Sequence, residues 1–551
     1  MSEPPEEPCA LGLDFGTASV RALVVDTKTG RERGSAVAEY RHGVIETALP
    51  GSFVSLPSDW ALQHPSDYLE ALGRAVPAAL DAARVEAGSV IGVGIDFTAC
   101  TILPVDESCR PLCLASEFSA RPHAWVKLWK HHASQPQADR INAVAAERGE
   151  AFLTDYGGKT SSEWLCAKAL QVLEDDPEVY AATRSFVEAG DWIVQELTGV
   201  SVRNSCGAGY KGFWSAERGF PSPEFFAAVH PGLRDLGEKL GGEVTAPGRA
   251  VGGLRKETAH RLGLAPGTPV ASAIIDAHAA VFGSTVVEPG RMVMVLGTST
   301  CHMLLADRHA PVEGIAGVVR DGIVEGFYGY EAGQPAVGDL FGWFARLLAG
   351  GGERDPAERF AWLEQDAAGA PPGARGLIAL DWWNGNRSVL VDADLSGLIV
   401  GLTLSTTAPE IYRCLIEATA FGTRRILDAF ERREIPVTEL IAVGGLAERS
   451  PLLLQIYADV TGRPIARASS ASASALGAAM LGAVAAGPEH GGHPSLGAAA
   501  GAMARLRDDR VEPDPVAAEC YDALYADWLS LHDHFGRGGS DVMRRLRRAR
   551  G

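Results

Sequence analysis

Two short turns in this sequence carry residue types that can bind a polyphosphate. Gly16 and Thr17 follow one apolar run, whereas Gly297, Thr298 and Ser299 follow another. A turn between two strands presents backbone N–H groups and hydroxyls with little side-chain bulk, and such turns form anion-binding concavities. Each turn alone is more often a simple hairpin, but two of them across a cleft could hold a nucleoside triphosphate. No G-x-x-x-x-G-K-[ST] loop occurs in the chain, so this site would lack a Walker motif.

Two aspartates stand where they could take part in the same chemistry. Asp14 precedes the first turn and could orient hydrated Mg²⁺, because this hard cation prefers oxygen ligands. Asp276 ends the apolar run in ASAIIDAHAA, at a point where a helix could begin. A carboxylate there could act as a general base, but Asp is also a common helix N-cap. From these residues alone, the cap is the favoured interpretation of Asp276.

The elements that must position these residues follow an α/β pattern. Apolar strand-like runs such as LGLDFG, VRALVVD and VIGVGID alternate with amphipathic stretches, of which residues 65–87 are the longest in the N-terminal part. Residues 16–26 align without a gap on residues 297–307, with Gly, Thr, hydroxyl and Asp positions coinciding. A weaker match pairs residues 91–99 with 441–448. The sequence therefore predicts two copies of one α/β fold.

Bulk properties fit a multidomain protein that acts on small molecules. The chain has 551 residues, enough for two or three domains, with 46% apolar and 22% charged residues. Its formal net charge of −19 argues against a nucleic-acid partner, and its apolar runs are too short for a membrane span. Nine cysteines without a Cys-x-x-Cys pair favour reduced thiols over disulfides or a structural metal. We therefore expect a cytoplasmic protein, and we interpret the basic run 544–551 as a solvated helix end.

A set of motifs in consistent order gives the chain a family resemblance. The set includes LGLDFGTASVRALVVD, VGIDFTACTILPVD, SCGAGYKGFW, IDAHAAVFG, LGTSTCHMLL, GYEAGQPAVGDLFGWF and AVGGLAERS. Through these motifs the chain resembles the FGGY carbohydrate kinases, and most of all the bacterial L-ribulokinases. The resemblance implies an α/β fold of two actin-like (ribonuclease H-like) ATPase domains with a cleft between them. It also implies ATP-dependent phosphorylation of L-ribulose to L-ribulose 5-phosphate, a step of L-arabinose catabolism.

The resemblance also implies roles for individual residues. Asp276 is the expected catalytic base, and Ala99, Lys211 and Glu331 join it as expected sugar contacts. The expected ATP contacts are Gly16, Thr17, Gly297, Thr298, Ser299, Gly444 and Gly445, with Asp14 near Mg²⁺ through water. Many relatives carry Asn where this chain has Ser450, so the nucleotide preference stays open.

Charge and hydrogen-bonding capacity make the sugar contacts chemically reasonable. The carboxylates of Asp276 and Glu331 can accept from sugar hydroxyls, and Lys211 can donate to sugar oxygens. Without the resemblance, Lys211 would be interpreted as a surface lysine and Glu331 as part of a structural ion pair. Most of the tryptophans near these motifs are interpreted as core residues. The tryptophans near these motifs are Trp125, Trp129, Trp164, Trp382 and Trp383. No catalytic role is expected for the histidines His131, His132 and His278.

The chain is predicted to divide into two domains. Residues 1–282 would carry the sugar contacts and the first phosphate turn, and residues 283–551 the nucleotide site and a helical tail. Residues 490–504 are rich in Ala and Gly and are predicted to form a flexible connector within that tail. The resemblance is compatible with a homodimer. The alternatives are a kinase for D-ribulose or another pentulose or pentitol, an actin-like nucleotide-gated binding protein, and a hydrolase on the same fold.

Overall fold

The structure, a computed structural model, describes residues 5, 7–52, 54–348 and 356–549. Its contacts divide the chain into two compact units. The first unit contains Met1–Val287, Val318–Gly329 and Ser472–Arg505, and the second contains Glu288–Gly317, Tyr330–Ala471 and Leu506–Gly551. Each unit therefore combines segments that are distant from one another in the sequence.

A mixed sheet forms the centre of the first unit. Its strands lie in the order Ala250–Gly253, Pro269–Ala271, Val90–Phe97, Cys9–Phe15, Ser19–Asp26 and Glu32–Glu39, with Ile274–Ile275 also paired to Val90–Phe97. The three strands nearest the N-terminus form antiparallel hairpins, while Val90–Phe97 runs parallel to Cys9–Phe15. These two parallel strands are almost wholly buried, as expected for a sheet that is covered on both faces.

Two helices cover opposite faces of this sheet. Pro65–Ala83 approaches Gly34, whereas Ala473–Ala486 approaches Gly12 and Gly94. The strand register places Gly34 and Gly12 on opposite faces, because side chains alternate along a strand. A Cβ atom at Gly94 would lie 1.8 Å from a carbonyl oxygen of the second helix. The backbone of that helix therefore packs directly on the glycines of the sheet.

The rest of the first unit surrounds a smaller sheet. The strands of the smaller sheet lie in the order Leu62–Gln63, Val126–Lys127, Ile102–Val105 and Ser185–Glu188. The other strands are Arg203–Asn204, Val244–Thr245 and Gly317–Arg320, whose residues from Val318 belong to this unit. The other α-helices are Gln135–Arg148, Leu165–Asp175, Pro177–Ala182, Ala189–Thr198, Ser205–Gly212, Pro223–Val229, Leu236–Leu240, Lys256–Leu262, Asp276–Gly283 and Leu496–Met503. Buried apolar side chains of the smaller sheet and of helices such as Gln135–Arg148, Leu165–Asp175 and Pro223–Val229 form a second core in addition to that of the main sheet.

The second unit has a central sheet of the same kind. Its strands include, in order, Tyr328–Gln334, Thr300–Ala306, Arg291–Leu296, Glu439–Val443 and Ile465–Arg467. Arg291–Leu296 is antiparallel to Thr300–Ala306 and parallel to Glu439–Val443. Ile378–Leu380 and Leu398–Val400 form a separate two-stranded sheet. The α-helices of this unit are Gly338–Leu347, Pro356–Ala368, Ala408–Glu431, Gly445–Arg449, Pro451–Thr461, Pro515–Gly536 and Val542–Arg548.

The two central sheets confirm the predicted repeat. In each unit, the first strand is antiparallel to its hairpin partner and parallel to a later strand. The aligned segments 16–26 and 297–307 contain the second strand of each hairpin, Ser19–Asp26 and Thr300–Ala306. The structure therefore has the predicted α/β class, with the same strand arrangement built twice.

Residues 490–504 do not form the flexible connector that their Ala and Gly content predicts. They contain the helix Leu496–Met503, which is capped by the side chain of Ser495. A Cβ atom at Gly30 would lie 1.9 Å from the carbonyl oxygen of Met503. Within the segment, a Cβ atom at Gly492 would lie 2.0 Å from the carbonyl oxygen of Ala483, so the segment packs closely in the first unit and the prediction of a flexible connector is wrong.

Candidate active site

The carboxyl ends of three neighbouring strands in the first unit carry aspartates. Asp14 pairs with Asp96 across the two parallel strands, and Ile274–Ile275 pairs on the other side of Asp96. Asp276 follows as the first residue of the next helix, so the N-cap position belongs to the preceding residue. The N-cap interpretation of Asp276 is therefore wrong. Its half-buried carboxylate accepts a hydrogen bond of 2.7 Å from the next backbone N–H.

Asp14 and Asp96 form a buried carboxyl pair. Burial raises the pKa of both groups, and the charges of Asp14 and Asp276 raise the pKa of Asp96 further. Asp96 is 0% exposed, and within the described part of the chain no donor reaches either of its oxygens. The two carboxyl groups therefore influence each other's pKa at these buried strand ends. Asp14 is the member of this pair that the sequence predicts to lie near Mg²⁺.

Two of the predicted sugar contacts lie near the same edge of the sheet. Ala99 lies in the turn after the second parallel strand, where Cys100 adopts a φ of +52°. Lys211 is only 4% exposed, so its interpretation as a surface lysine is wrong. Burial raises the pKa of the Cys100 thiol, and the nearby Lys211 and Lys168 ammonium groups lower it. The first unit thus brings Ala99, Lys211 and Asp276 to one region.

A small cavity adjoins these residues. Its volume is about 10 Å³, close to the space that a single water needs. It is lined by Phe97, Thr98, Glu188, Gly190, Asn204, Gly207, Ala273, Ile274 and Ile275. Burial raises the pKa of Glu188 to about 8, and Asp191 raises it as well, whereas Lys168 and Lys211 lower it. Sequence reasoning did not identify Glu188, because a single carboxylate at the end of a strand forms no motif.

The first predicted phosphate turn is held by a side chain of the smaller sheet and by one from the segment that follows its strand Val126–Lys127. The Gly16 N–H donates to Ser19 O at 3.0 Å and closes the turn, so it is not offered to a ligand. The Trp129 indole donates to the Thr17 hydroxyl oxygen at 3.0 Å, and Gln63 donates to the Thr17 carbonyl oxygen at 2.8 Å. The hydroxyl proton of Thr17 can still be donated to a phosphate oxygen.

The second predicted phosphate turn lies in the second unit and has the same construction. The Gly297 N–H donates to Ser299 O at 3.0 Å. Backbone N–H groups of Val337 and Asp339 donate to Thr298 O at 2.9 and 3.1 Å, which fixes the turn to the start of the helix Gly338–Leu347. Gly297 and Thr298 remain exposed, as a ligand-binding turn requires.

The predicted glycine pair of the nucleotide site follows the neighbouring parallel strand. Gly444 has a φ of +97°, and a Cβ atom there would lie 2.7 Å from the carbonyl oxygen of Leu296. Only glycine fits both the conformation and the space. Gly445 begins a short helix, and the guanidinium of Arg449 lies beside it. Gly444 therefore adjoins the residue that precedes the Gly297 turn.

Glu331 and Ser450 also belong to the second unit. Glu331 lies on the strand Tyr328–Gln334 and is 7% exposed. The Ser450 hydroxyl donates to the Glu364 carboxylate at 2.7 Å, and its oxygen accepts from the Leu453 N–H at 3.1 Å. Ser450 is therefore occupied as a helix cap and as a partner of Glu364.

The tryptophans near the motifs have different environments. Trp125, Trp164 and Trp382 are each less than 5% exposed and pack in cores, as predicted. Trp129 differs because its indole N–H holds the Thr17 turn. His131 is fully buried, and its Nε2 lies 2.9 Å from Oε1 of Gln171, which gives it a structural partner.

Comparison with protein families assigns both halves of the chain to the same family. Residues 9–283 match the N-terminal domain, and residues 292–486 the C-terminal domain, of a family described as the FGGY family of carbohydrate kinases. Among curated proteins, a protein named ribulokinase from Geobacillus thermodenitrificans is 54% identical over 543 residues, which cover 98% of this chain and 96% of that protein. A protein named ribulokinase from Mycolicibacterium smegmatis is 47% identical over 554 residues, which cover 99% of this chain and 97% of that protein.

Solved structures share the fold at low sequence identity. A xylulose kinase from Rhodospirillum rubrum has a TM-score of 0.78 at 23% identity, covering 95% of this chain and 98% of that one. A gluconate kinase from Lactobacillus acidophilus has a TM-score of 0.78 at 18% identity, covering 97% of this chain and 99% of that one. At these identities the likeness concerns the fold alone.

Across the described residues, no helix has both the length and the apolar character required to cross a membrane.

Proposed function

Because the chain belongs to the FGGY family of carbohydrate kinases, we propose that it phosphorylates L-ribulose to L-ribulose 5-phosphate with ATP as the phosphoryl donor. Relatives named ribulokinase that are 47–54% identical over nearly the whole chain support the choice of this pentulose. The observation that carries the proposal is the position of Asp276. Its half-buried carboxylate lies at a strand end, in the same region as Ala99 and Lys211.

Asp276 is the general base of the proposed reaction. It accepts the proton of the sugar hydroxyl at C5 while that oxygen forms a bond to the γ-phosphorus of ATP. The bond between the γ-phosphorus and the β–γ bridging oxygen breaks, and ADP leaves with that oxygen. Phosphoryl transfer depends mainly on positioning and on charge stabilisation, with the base adding a factor of about 10²–10⁴.

The remaining predicted residues bind the two substrates. Lys211 donates to sugar oxygens, Glu331 accepts from a sugar hydroxyl, and Ala99 forms a small wall of the sugar site. The nucleotide phosphates are bound by the two turns, and the Gly pair allows close approach of the nucleotide at a helix start. The residues in these roles are Gly16, Thr17, Gly297, Thr298, Ser299, Gly444 and Gly445.

The donor set in the first unit fits a magnesium ion. Asp14 offers carboxylate oxygens at a buried strand end, and oxygen is the ligand atom that Mg²⁺ prefers. We propose that Asp14 holds Mg²⁺ through water together with the ATP phosphates. When bound, the ion would neutralise charge on the transferring phosphoryl group.

The reaction would serve L-arabinose catabolism in the cytoplasm, where ATP and the free sugar are available. A homodimer is compatible with this assignment, and size-exclusion chromatography with light scattering would measure it.

A sugar panel tests the proposed substrate. ADP release with Mg-ATP would be followed for L-ribulose, D-ribulose, L-xylulose, D-xylulose, ribitol and glycerol. We expect the largest kcat/KM for L-ribulose, although a change at one stereocentre alters only one or two hydrogen bonds, worth about 1–3 kcal/mol each. If another pentulose or pentitol gives the largest value, the kinase assignment stands and the sugar assignment fails. ADP release that no sugar stimulates would favour a nucleotide-gated binding protein or a hydrolase instead.

A further inference from the structure

A buried lysine links two loops of the first unit. Lys168 lies on the helix Leu165–Asp175 and is 0% exposed. Its Nζ donates to the carbonyl oxygen of Cys100 at 2.6 Å and to that of Leu128 at 2.8 Å. Burial of an amine is unfavourable unless its N–H groups find acceptors, and burial lowers the pKa of Lys168. The two carbonyl contacts are therefore what allows a lysine at this position.

The first contact reaches the sugar side of the site. Cys100 follows Ala99 directly, and its positive φ turns the chain sharply at this point. The Thr98 and Thr101 hydroxyl oxygens lie 2.8 Å apart and bridge the same turn. A donor fixed on the Cys100 carbonyl therefore sets the orientation of the Cys100–Thr101 peptide, one residue beyond Ala99.

The second contact reaches the phosphate side. The Leu128 N–H donates to Ala61 O at 3.0 Å, which joins this segment to the strand that carries Gln63. The residue after Leu128 is Trp129, whose indole donates to the Thr17 hydroxyl oxygen, while Gln63 donates to the Thr17 carbonyl oxygen. Fixing Leu128 therefore also fixes the two side chains that hold the Thr17 turn.

We propose that Lys168 is a positioning residue that holds the Ala99 turn of the sugar site and the Thr17 turn of the phosphate site in register. Lys168 touches neither substrate and acts through the Cys100–Thr101 peptide, one residue beyond Ala99, and through Trp129. This inference rests on the proposed sugar-kinase function of the site. A group with several N–H donors and no acceptor is required, because both partners are carbonyl oxygens.

The test compares Lys168→Met with a matched lysine of the same unit. Lys239 also donates to two carbonyl oxygens, those of Thr183 at 2.5 Å and Tyr180 at 3.4 Å, but neither carbonyl belongs to a predicted site residue or to its neighbour. Both variants would be checked for folding by circular dichroism and thermal melting. KM for L-ribulose, KM for ATP and kcat would then be measured for each, and L-ribulose binding without ATP would be measured by calorimetry.

We expect Lys168→Met to raise KM and Kd for L-ribulose at least tenfold and to lower kcat at least tenfold. Lys239→Met should change these constants less than twofold even if it lowers the melting temperature. A folded Lys168→Met protein with all constants within twofold of the wild type would overturn the inference. If Lys168→Met does not fold, Lys168→Gln is measured against the same limits, because its amide is one atom shorter than the lysine side chain and carries an oxygen that cannot donate to a carbonyl. Wild-type protein without sugar-stimulated ADP release would instead overturn the proposed function, which separates the two failures.

Discussion

Ionisable side chains buried together define the candidate site at the scale of residues. Asp14 and Asp96 lie at the ends of two neighbouring strands, and Glu188 and Lys168 lie close to the turn after Asp96. The sequence motifs led to Asp14, Asp276 and Lys211, because each stands in a recognisable pattern. They did not lead to Glu188 or Lys168, since a single charged residue in a strand or helix has no spacing to recognise. Their proximity arises only from folding.

Lys211→Met should weaken sugar binding. The buried ammonium group would otherwise donate to sugar oxygens, and a hydrogen bond to a charged group contributes about 1.5–3 kcal/mol. KM for L-ribulose is expected to rise about 10- to 100-fold with little change in KM for ATP, as measured by ADP release. The exposed Lys256 supplies the control, and Lys256→Met should leave both constants unchanged. An unchanged KM for L-ribulose in Lys211→Met would remove Lys211 from the sugar site.

Glu188→Gln should change how stability depends on pH. The folded protein holds the Glu188 proton up to about pH 8, whereas the unfolded chain releases it above about pH 4.5. The stability due to this proton is therefore complete below pH 4.5 and is lost as the pH rises to about 8. The loss is on the order of 1 kcal/mol per pH unit, and an amide side chain does not undergo it.

Melting temperatures at pH 5 and pH 8 measure this effect. The quantity compared is the melting temperature of Glu188→Gln minus that of the wild type. This difference should be larger at pH 8 than at pH 5. Glu238→Gln, at an exposed helix position, should show no such difference. Parallel pH profiles for wild type and Glu188→Gln would mean that Glu188 is ionised in the folded protein.

At the scale of elements, close packing of a helix on glycines shapes the first unit. Ala473–Ala486 lies against the two parallel strands, and its carbonyl groups occupy the space where Cβ atoms of Gly12 and Gly94 would be. The strands and the repeat could be predicted because apolar runs and Gly-Thr turns recur in the sequence. That this helix returns to the first unit could not be predicted, since its Ala-rich surface would suit many partners. Residues 490–504 are also rich in Ala and Gly, and this composition predicts a connector although the segment contains a packed helix.

Gly94→Ala should be strongly destabilising. The added methyl group would lie 1.8 Å from the Ala478 carbonyl oxygen, so the helix or the strand must move. Overpacking of this kind typically lowers the free energy of unfolding by about 1–3 kcal/mol. Gly73→Ala is the matched control, because Gly73 lies inside the helix Pro65–Ala83 with open space around it. That variant should gain about 0.5–1 kcal/mol, and chemical denaturation would measure both changes. Equal stability of the two variants would contradict the observed packing.

At the scale of the whole molecule, the chain uses one sheet arrangement twice, and each copy carries different predicted site residues. The first unit carries Asp276, Ala99 and Lys211, while the second carries the Gly297 turn and the Gly444 turn. Each unit also carries a Gly-Thr turn closed by the same kind of backbone hydrogen bond. The fold and the family could be predicted from ordered motifs along the chain. The burial and hydrogen-bond partners of the site residues could not, because they depend on segments distant in sequence.

The most direct test of the proposed reaction is sugar-dependent ADP release by the wild type and by Asp276→Asn. The variant keeps the size of the side chain but removes the proton acceptor, so ATP and L-ribulose should still bind. We predict that L-ribulose stimulates ADP release by the wild type and that kcat falls about 10²- to 10⁴-fold in the variant, with ATP affinity by calorimetry unchanged. A variant with wild-type kcat would contradict the role of Asp276. Wild-type ADP release that L-ribulose does not stimulate would contradict the proposed L-ribulose reaction.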